Sequence, residues 1–163
     1  MKLFLSFFLL SAFFLGACKD TQKGASSDTE QSSLNTDLSA NIIFTLSKTP
    51  CYGTCPVFKI TVFENDSLVY EGERFVDKIG VSSKSLPKGK VKELVDKFRT
   101  ANFFEFKTEY SAHITDMPTT YISFTDKAKT LKIKDYHGSP EELKQLEQLL
   151  VDLVSDEIKV KNR

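Results

Sequence analysis

The sequence predicts an α+β fold. The expected form is a two-layer sandwich: an antiparallel sheet of two hairpins plus an N-terminal strand, with two helices packed on one face in the order ββα-ββα. Three observations carry that expectation. Short runs alternate apolar and polar residues between turn signals, as in Phe58-Lys59-Ile60-Thr61-Val62, the pattern of strands with one buried face. Two longer segments, each led by a proline, carry apolar residues at helical spacing. Two amphipathic helices need a shared apolar surface, and one sheet provides it.

The elements follow in chain order. IIFTLS (42–47) reads as a strand, and VFKITVFE (57–64) is a stronger one. Glu64-Asn65-Asp66-Ser67 is a turn signal, after which SLVYEGERFV (67–76) returns as the second arm of a hairpin. A short extended piece is expected near Gly80 to Lys84. Pro87 then opens a helix, as proline can in a first turn, with Val91, Leu94, Val95 and Phe98 as its apolar stripe. The cluster ANFFEF docks the end of that helix onto the sheet.

Thr119 to Thr125 and Thr130 to Asp135 form a second hairpin around Asp126-Lys127-Ala128, with Ile122, Phe124, Leu131 and Ile133 facing the core. Gly138-Ser139-Pro140-Glu141-Glu142 has the cap, proline and acidic first turn of a helix start. Leu143, Leu146, Leu149, Leu150, Leu153 and Val154 give the last helix its buried face. Read this way, hairpin and proline-led helix repeat once, as a likeness of architecture. Phe44, Phe58, Phe63, Phe75, Phe98, Phe103, Phe104, Phe106 and Phe124 supply bulk for one core. One domain, residues 42–158, and a short C-terminal tail, 159–163, are expected.

The N-terminus is of another kind. MKLFLSFFLLSAFFLGACKD has a single early lysine and an apolar run from Leu3 to Leu15. That is too short to span a bilayer, which takes about 20 apolar residues, and has the length of a signal-peptide core. Leu15-Gly16-Ala17-Cys18 resembles the lipobox of bacterial lipoproteins. The resemblance implies removal of residues 1–17, a diacylglyceryl thioether on Cys18 and acylation, such as by palmitate, of its new α-amino group. Several buried acyl chains make a stable anchor. Residues 18–41 are then the lipidated cysteine and a flexible tether, because the segment has no aromatic residue and little to bury.

Charge bounds the function. Lysine and arginine number 22, aspartate and glutamate 22, and they are interspersed, so there is no electrostatic footprint for nucleic acid. There is no phosphate loop, dinucleotide fingerprint or calcium loop, and no cofactor is implied.

TPCYGTCPVF (49–58) holds the remaining two cysteines. A redox centre wants two residues between its cysteines and a helix N-terminus to activate a thiol; here three intervene and a strand follows. A zinc site needs about four ligands, and the histidines, His113 and His137, lie far apart in sequence. A staple is the third reading. Cys18 is consumed by lipid, leaving an even number of thiols in an oxidising envelope. An extended chain would separate residues 51 and 55 by about 13 Å, beyond the ~7 Å limit for a bridge, so the segment must turn, and Gly53 helps it do so. These features favour a Cys51–Cys55 disulfide, with free thiols, redox chemistry and a metal as the alternatives.

Two loops attract attention. Ser111, His113 and Asp116 suggest a hydrolytic relay, but neighbours along one loop rarely align as a triad. Asp116 is better read as a turn residue ahead of Pro118. Asp135, Tyr136 and His137 end a strand just before a helix, where Asp135 and Ser139 would satisfy backbone amides. If a ligand is bound, Tyr52, His113, Asp116, Asp135, Tyr136 and His137 are the residues expected to face it.

C-Y-G-T-C-P-V-F, T-D-M-P (115–118) and D-Y-H-G-S-P (135–140) together resemble a family of bacterial envelope lipoproteins known as a domain of unknown function. The resemblance implies one α+β domain behind a lipoprotein signal, and no activity. The expected function is therefore that of a membrane-anchored envelope lipoprotein, a non-catalytic binding or interaction module for a protein or other envelope component. It would be held by lipid, at the outer membrane in preference to the inner, with its domain in the periplasm or at the cell surface. A thiol enzyme or redox sensor using Cys51 and Cys55, and a small-ligand carrier with a cleft between the hairpin-to-helix loops, are the alternatives.

Overall fold

The structure, a computed structural model, describes residues 41–158. It is a mixed α+β domain with one seven-stranded sheet and two helices. The strands are β1 (Ile42–Lys48), β2 (Val57–Phe63), β3 (Ser67–Arg74), β4 (Gly80–Ser85), β5 (Glu109–Tyr110), β6 (Thr120–Asp126) and β7 (Lys129–Asp135). The helices are α1 (Lys90–Thr100) and α2 (Glu141–Asp152), and a single 3-10 turn covers Phe103–Glu105. Across the sheet the order is β4-β3-β2-β1-β6-β7-β5. All neighbours are antiparallel except β5 and β7. The expected signal segment 1–17, Cys18, residues 19–40 of the expected tether and the tail 159–163 lie outside the described residues.

The expected sheet of two hairpins and one strand, and the ββα-ββα repeat, are corrected in two places. Gly80–Ser85 is a full strand that pairs with β3 over six residues, so four strands, not three, precede α1. Its weak alternation in sequence reflects its edge position, where little side chain is buried. Glu109–Tyr110 adds a two-residue edge beside β7, too short for any periodicity to reveal.

Cross-strand register explains which face is buried. Phe44 pairs with Val62 and Phe124, and Leu46 with Ile60 and Ile122. Because side chains alternate, Phe44, Leu46, Phe58, Ile60, Val62, Leu68, Tyr70, Ile122, Phe124 and Ile133 share one side. With Val91, Leu94 and Phe98 of α1 and Leu143, Leu146 and Leu150 of α2 they form one cluster. Its centre is aromatic: Phe44 lies 4.6 Å from Phe98 and 5.0 Å from Phe124, centroid to centroid. Phe103 adds an edge-on contact to Phe124, so ANFFEF does dock α1 onto the sheet. Phe75 departs from its expected core role; it is half exposed, with a positive φ of 55° in the turn after β3.

The helix starts also differ from a local reading. Helix α1 begins at Lys90, not at Pro87, and its free amides are capped from a distance. Asp66, in the β2–β3 turn with φ 57°, accepts hydrogen bonds from the backbone N–H of Gly89 (2.7 Å) and Val91 (2.8 Å). This satisfies donors that every helix leaves open and locks the first hairpin to α1. Helix α2 starts behind Pro140 with no side-chain cap. Ser139 instead donates to Asp135 Oδ2 at 2.7 Å.

Candidate functional site

The strand directions sort the connections into two ends. Chain enters the sheet at Ile42, on the end that also carries the β2–β3 and β6–β7 turns. The opposite end, about 20 Å away along seven residues of β1, carries the loops 49–56, 75–79, 111–119 and 136–140. It is referred to below as the loop end. Every candidate residue from the sequence lies there, although not in one cleft.

The 49–56 loop is stapled. Cys51 and Cys55 form a disulfide with Cα atoms 5.8 Å apart. The Gly53 N–H donates to Cys51 Sγ at 3.3 Å. Thr49 anchors the loop to its neighbour: its N–H donates to the Thr119 carbonyl at 3.0 Å, and Thr119 N–H donates back to Thr49 Oγ1 at 2.9 Å. The bridge thus closes a bend between two central strands, and β2, not a helix, follows. Tyr52 at the tip is 90% exposed.

In the 111–119 loop, His113 and Asp116 are exposed. Asp116 adopts φ 73° and accepts from the Thr115 hydroxyl at 3.0 Å. Among the described residues no hydrogen bond joins Ser111, His113 and Asp116, so there is no relay. Tyr136 braces this loop, donating its hydroxyl to the Ile114 carbonyl at 2.6 Å. His137 is exposed. Among the described residues, no three histidine, cysteine, aspartate or glutamate side chains converge to hold a metal ion.

Asp135 has a different environment, because the pleat turns it inward. The last cross-strand row before the loop end runs Gly72, Phe58, Lys48, Thr120, Asp135, on the helix-covered side. Lys48 Nζ donates to Thr120 Oγ1 at 3.3 Å. Over this polar row lies Glu147 of α2, 7% exposed. It lies close enough to Asp135 to feel its charge, and its Oε1 has no hydrogen-bond partner. Burial, then the adjacent Asp135 charge, push its pKa up to about 7.

Lys48, Thr120 and Glu147 are not among the residues expected from the sequence to form a site, but the sequence carries signals for them. Phe44-x-Leu46-x-Lys48 and Leu131-x-Ile133-x-Asp135 carry the inward phase of the pleat onto polar residues. Glu147 stands in the apolar stripe of α2, four residues after Leu143 and three before Leu150.

The apolar surface has its own distribution. Large exposed hydrophobic residues are Ile42, Tyr52, Phe75, Ile79, Val81, Ile114 and Met117. All but Ile42 belong to the loop end. A groove of about 510 Å³ runs beside them, past Pro50, Phe58, Glu71 and Val81. Another, of about 520 Å³, separates α1 from α2 and is lined by residues including Glu93, Lys97, Glu142 and Leu149. None of the six expected ligand-facing residues lines either groove.

Residues 42–154 match the family described as a domain of unknown function, DUF6438. No curated protein matches the chain.

Proposed function

Since the chain belongs to the DUF6438 family of domains of unknown function, we propose from its own residues that it is a membrane-anchored bacterial envelope lipoprotein whose domain is a non-catalytic docking module for an envelope protein. The lipid is carried by Cys18, and residues 19–41 act as the tether. The disulfide fits an oxidising compartment, and the lipobox supplies the route to it.

One observation carries the docking reading. The exposed apolar side chains gather at the loop end, away from Ile42 where a tether would join the domain. Single exposed hydrophobic residues need no explanation, but a collection on one side marks contact surfaces. Tyrosine, phenylalanine and methionine are the types that interfaces favour, and mixed charge around them suits a protein in preference to a polyanion. The staple supports the same reading, because a loop braced at both ends loses less entropy when a partner binds it.

A photo-crosslinking residue at position 52 of the full lipidated chain tests this in the envelope, with position 132 on the uncovered sheet face as the control. The expected result is a discrete adduct of defined mass from position 52 and none from 132. Equal adducts from both positions, or none from 52, would overturn the docking reading.

A further inference from the structure

The two edges of the sheet are finished differently. On one side β5 is two residues long, a short end that offers little to pair with. On the other, β4 pairs with β3 over six residues without a bulge, and the sheet ends there. Natural sheets guard such an edge with charge, proline or irregular backbone. Gly80–Ser85 has one charged residue, Lys84. It stands opposite Leu68, hence on the helix-covered side, and its Nζ donates to Glu157 Oε1 at 2.9 Å. The edge itself is unguarded.

The hydrogen-bond phase identifies the free groups. Leu86 N–H donates to the Asp66 carbonyl at 2.7 Å, in continuation of the Ser67–Ser85 pair. Bonded and non-bonded pairs alternate along an antiparallel ladder, so residues 84, 82 and 80 also bond to β3. Val81, Ser83 and Ser85 direct their N–H and C=O groups outward. Among the described residues, no other backbone group bonds to them. Their side chains lie on the uncovered face, where Val81 is 62% exposed, and Ile79 just before the strand is 63% exposed.

We propose that this edge pairs with a second copy of the chain, the two β4 strands meeting antiparallel about a two-fold axis that passes between their Ser83 residues. A free strand edge selects an extended backbone as its occupant, and the residues of β4 fit its own copy. Outward groups must meet outward groups, which leaves few registers. With Ser83 opposite Ser83, Val81 faces Ser85 of the second copy in both directions, each bonded pair exchanging two hydrogen bonds. Lys84 then faces Ser82, and each ammonium stays with its own Glu157. Ile79 comes beside Pro87 of the second copy, which is exposed in the single chain. A slip one way sets the two Lys84 side chains directly opposite each other, where like charges repel. A slip the other way leaves Ser85 without a strand residue to face.

The pairing is independent of what binds the loop end. It assigns Ile79 and Val81 to self-association and leaves Tyr52, Phe75, Ile114 and Met117 for docking. So short a ribbon buries less than the ~800 Å² a side of a standard interface. Association therefore draws on the membrane, where the proposed tether concentrates the chains.

Single cysteines in the full chain, in bacterial envelopes, test the pairing. Ser83→Cys places two thiols on Cα atoms about 5.5 Å apart, within bridging range. It should give a dimer on non-reducing electrophoresis that reductant dissolves. Val81→Cys is on the same face and more exposed, but its two copies lie about 13 Å apart along the strands. It should stay monomeric, as should Ser85→Cys. Co-expressed Val81→Cys and Ser85→Cys chains should form the dimer that neither gives alone. No dimer from Ser83→Cys, or as much from Val81→Cys alone, would overturn the proposal. So would a Ser83→Cys disulfide adduct with a protein of another mass, because a different chain would then fill the edge. Failure of docking shows separately, as absence of the adduct from position 52.

Discussion

Replacing Glu147 with glutamine should make the domain more stable at alkaline pH and change little at acid pH. The glutamine keeps the volume of the side chain and cannot ionise. In the wild type, the folded state raises the Glu147 pKa from 4.5 to about 7. Between those values the native protein holds a proton that the unfolded chain releases, so stability falls as pH rises across that window and is constant above it. At about 1.4 kcal/mol for each tenfold change in proton affinity, the loss amounts to about 3 kcal/mol. For a domain whose total stability is of order 5–15 kcal/mol, that is a large share. Urea denaturation of the chain lacking residues 1–17 and carrying Cys18→Ser, followed by far-ultraviolet circular dichroism from ~pH 5 to ~pH 8, measures it. The variant should match the wild type within about 1 kcal/mol at ~pH 5 and exceed it by about 3 kcal/mol at ~pH 8. Equal slopes in the two proteins, or wild-type stability that rises through the window, would refute the reasoning. Either outcome would mean that Glu147 folds ionised, balanced by Lys48.

Other consequences follow from the loop end. Cys51→Ser combined with Cys55→Ser should cost about 2 kcal/mol, the entropy of so short a closed loop, read as a lower urea midpoint with an unchanged slope. Gly72→Ala should destabilise by about 1–3 kcal/mol in a thermal melt, because its Cβ would collide with the Lys78 carbonyl oxygen and come within 2.8 Å of the Tyr70 hydroxyl. Lys78 N–H donates to the Glu157 carbonyl at 3.1 Å, so the same substitution should also raise amide exchange at residues 153–157.

The strands and helices that the sequence revealed are those whose apolar periodicity is strong. Residues 57–63 and the stripe from Val91 to Phe98 need no tertiary context to be read. Features that depend on contacts across the chain were hidden. Asp66 reads locally as a turn residue, yet its carboxylate caps a helix more than twenty residues later. Ser139 reads as a cap and instead serves Asp135. The edge strand Gly80–Ser85 is weakly patterned because one of its sides meets solvent, and β5, at two residues, spans a single period of alternation. At the candidate site, the cysteine spacing required a turn, and the structure has the corresponding bridge. The six loop residues expected to face a ligand share one end of the sheet without forming a common pocket. The polar row under α2 was written in the pleat phase, but recognising it required knowing which strands are neighbours.

The proposed molecule is a lipid-tethered domain whose loop end is braced by an oxidised cysteine pair. Intact-mass measurement of the full chain, isolated from bacterial envelopes and alkylated without reductant, tests it most directly. The predicted species begins at Cys18, carries acyl groups there, takes up no alkylating agent, and gains two alkyl groups after reduction. Protein that keeps residues 1–17, or that is alkylated at both Cys51 and Cys55 before reduction, would contradict it.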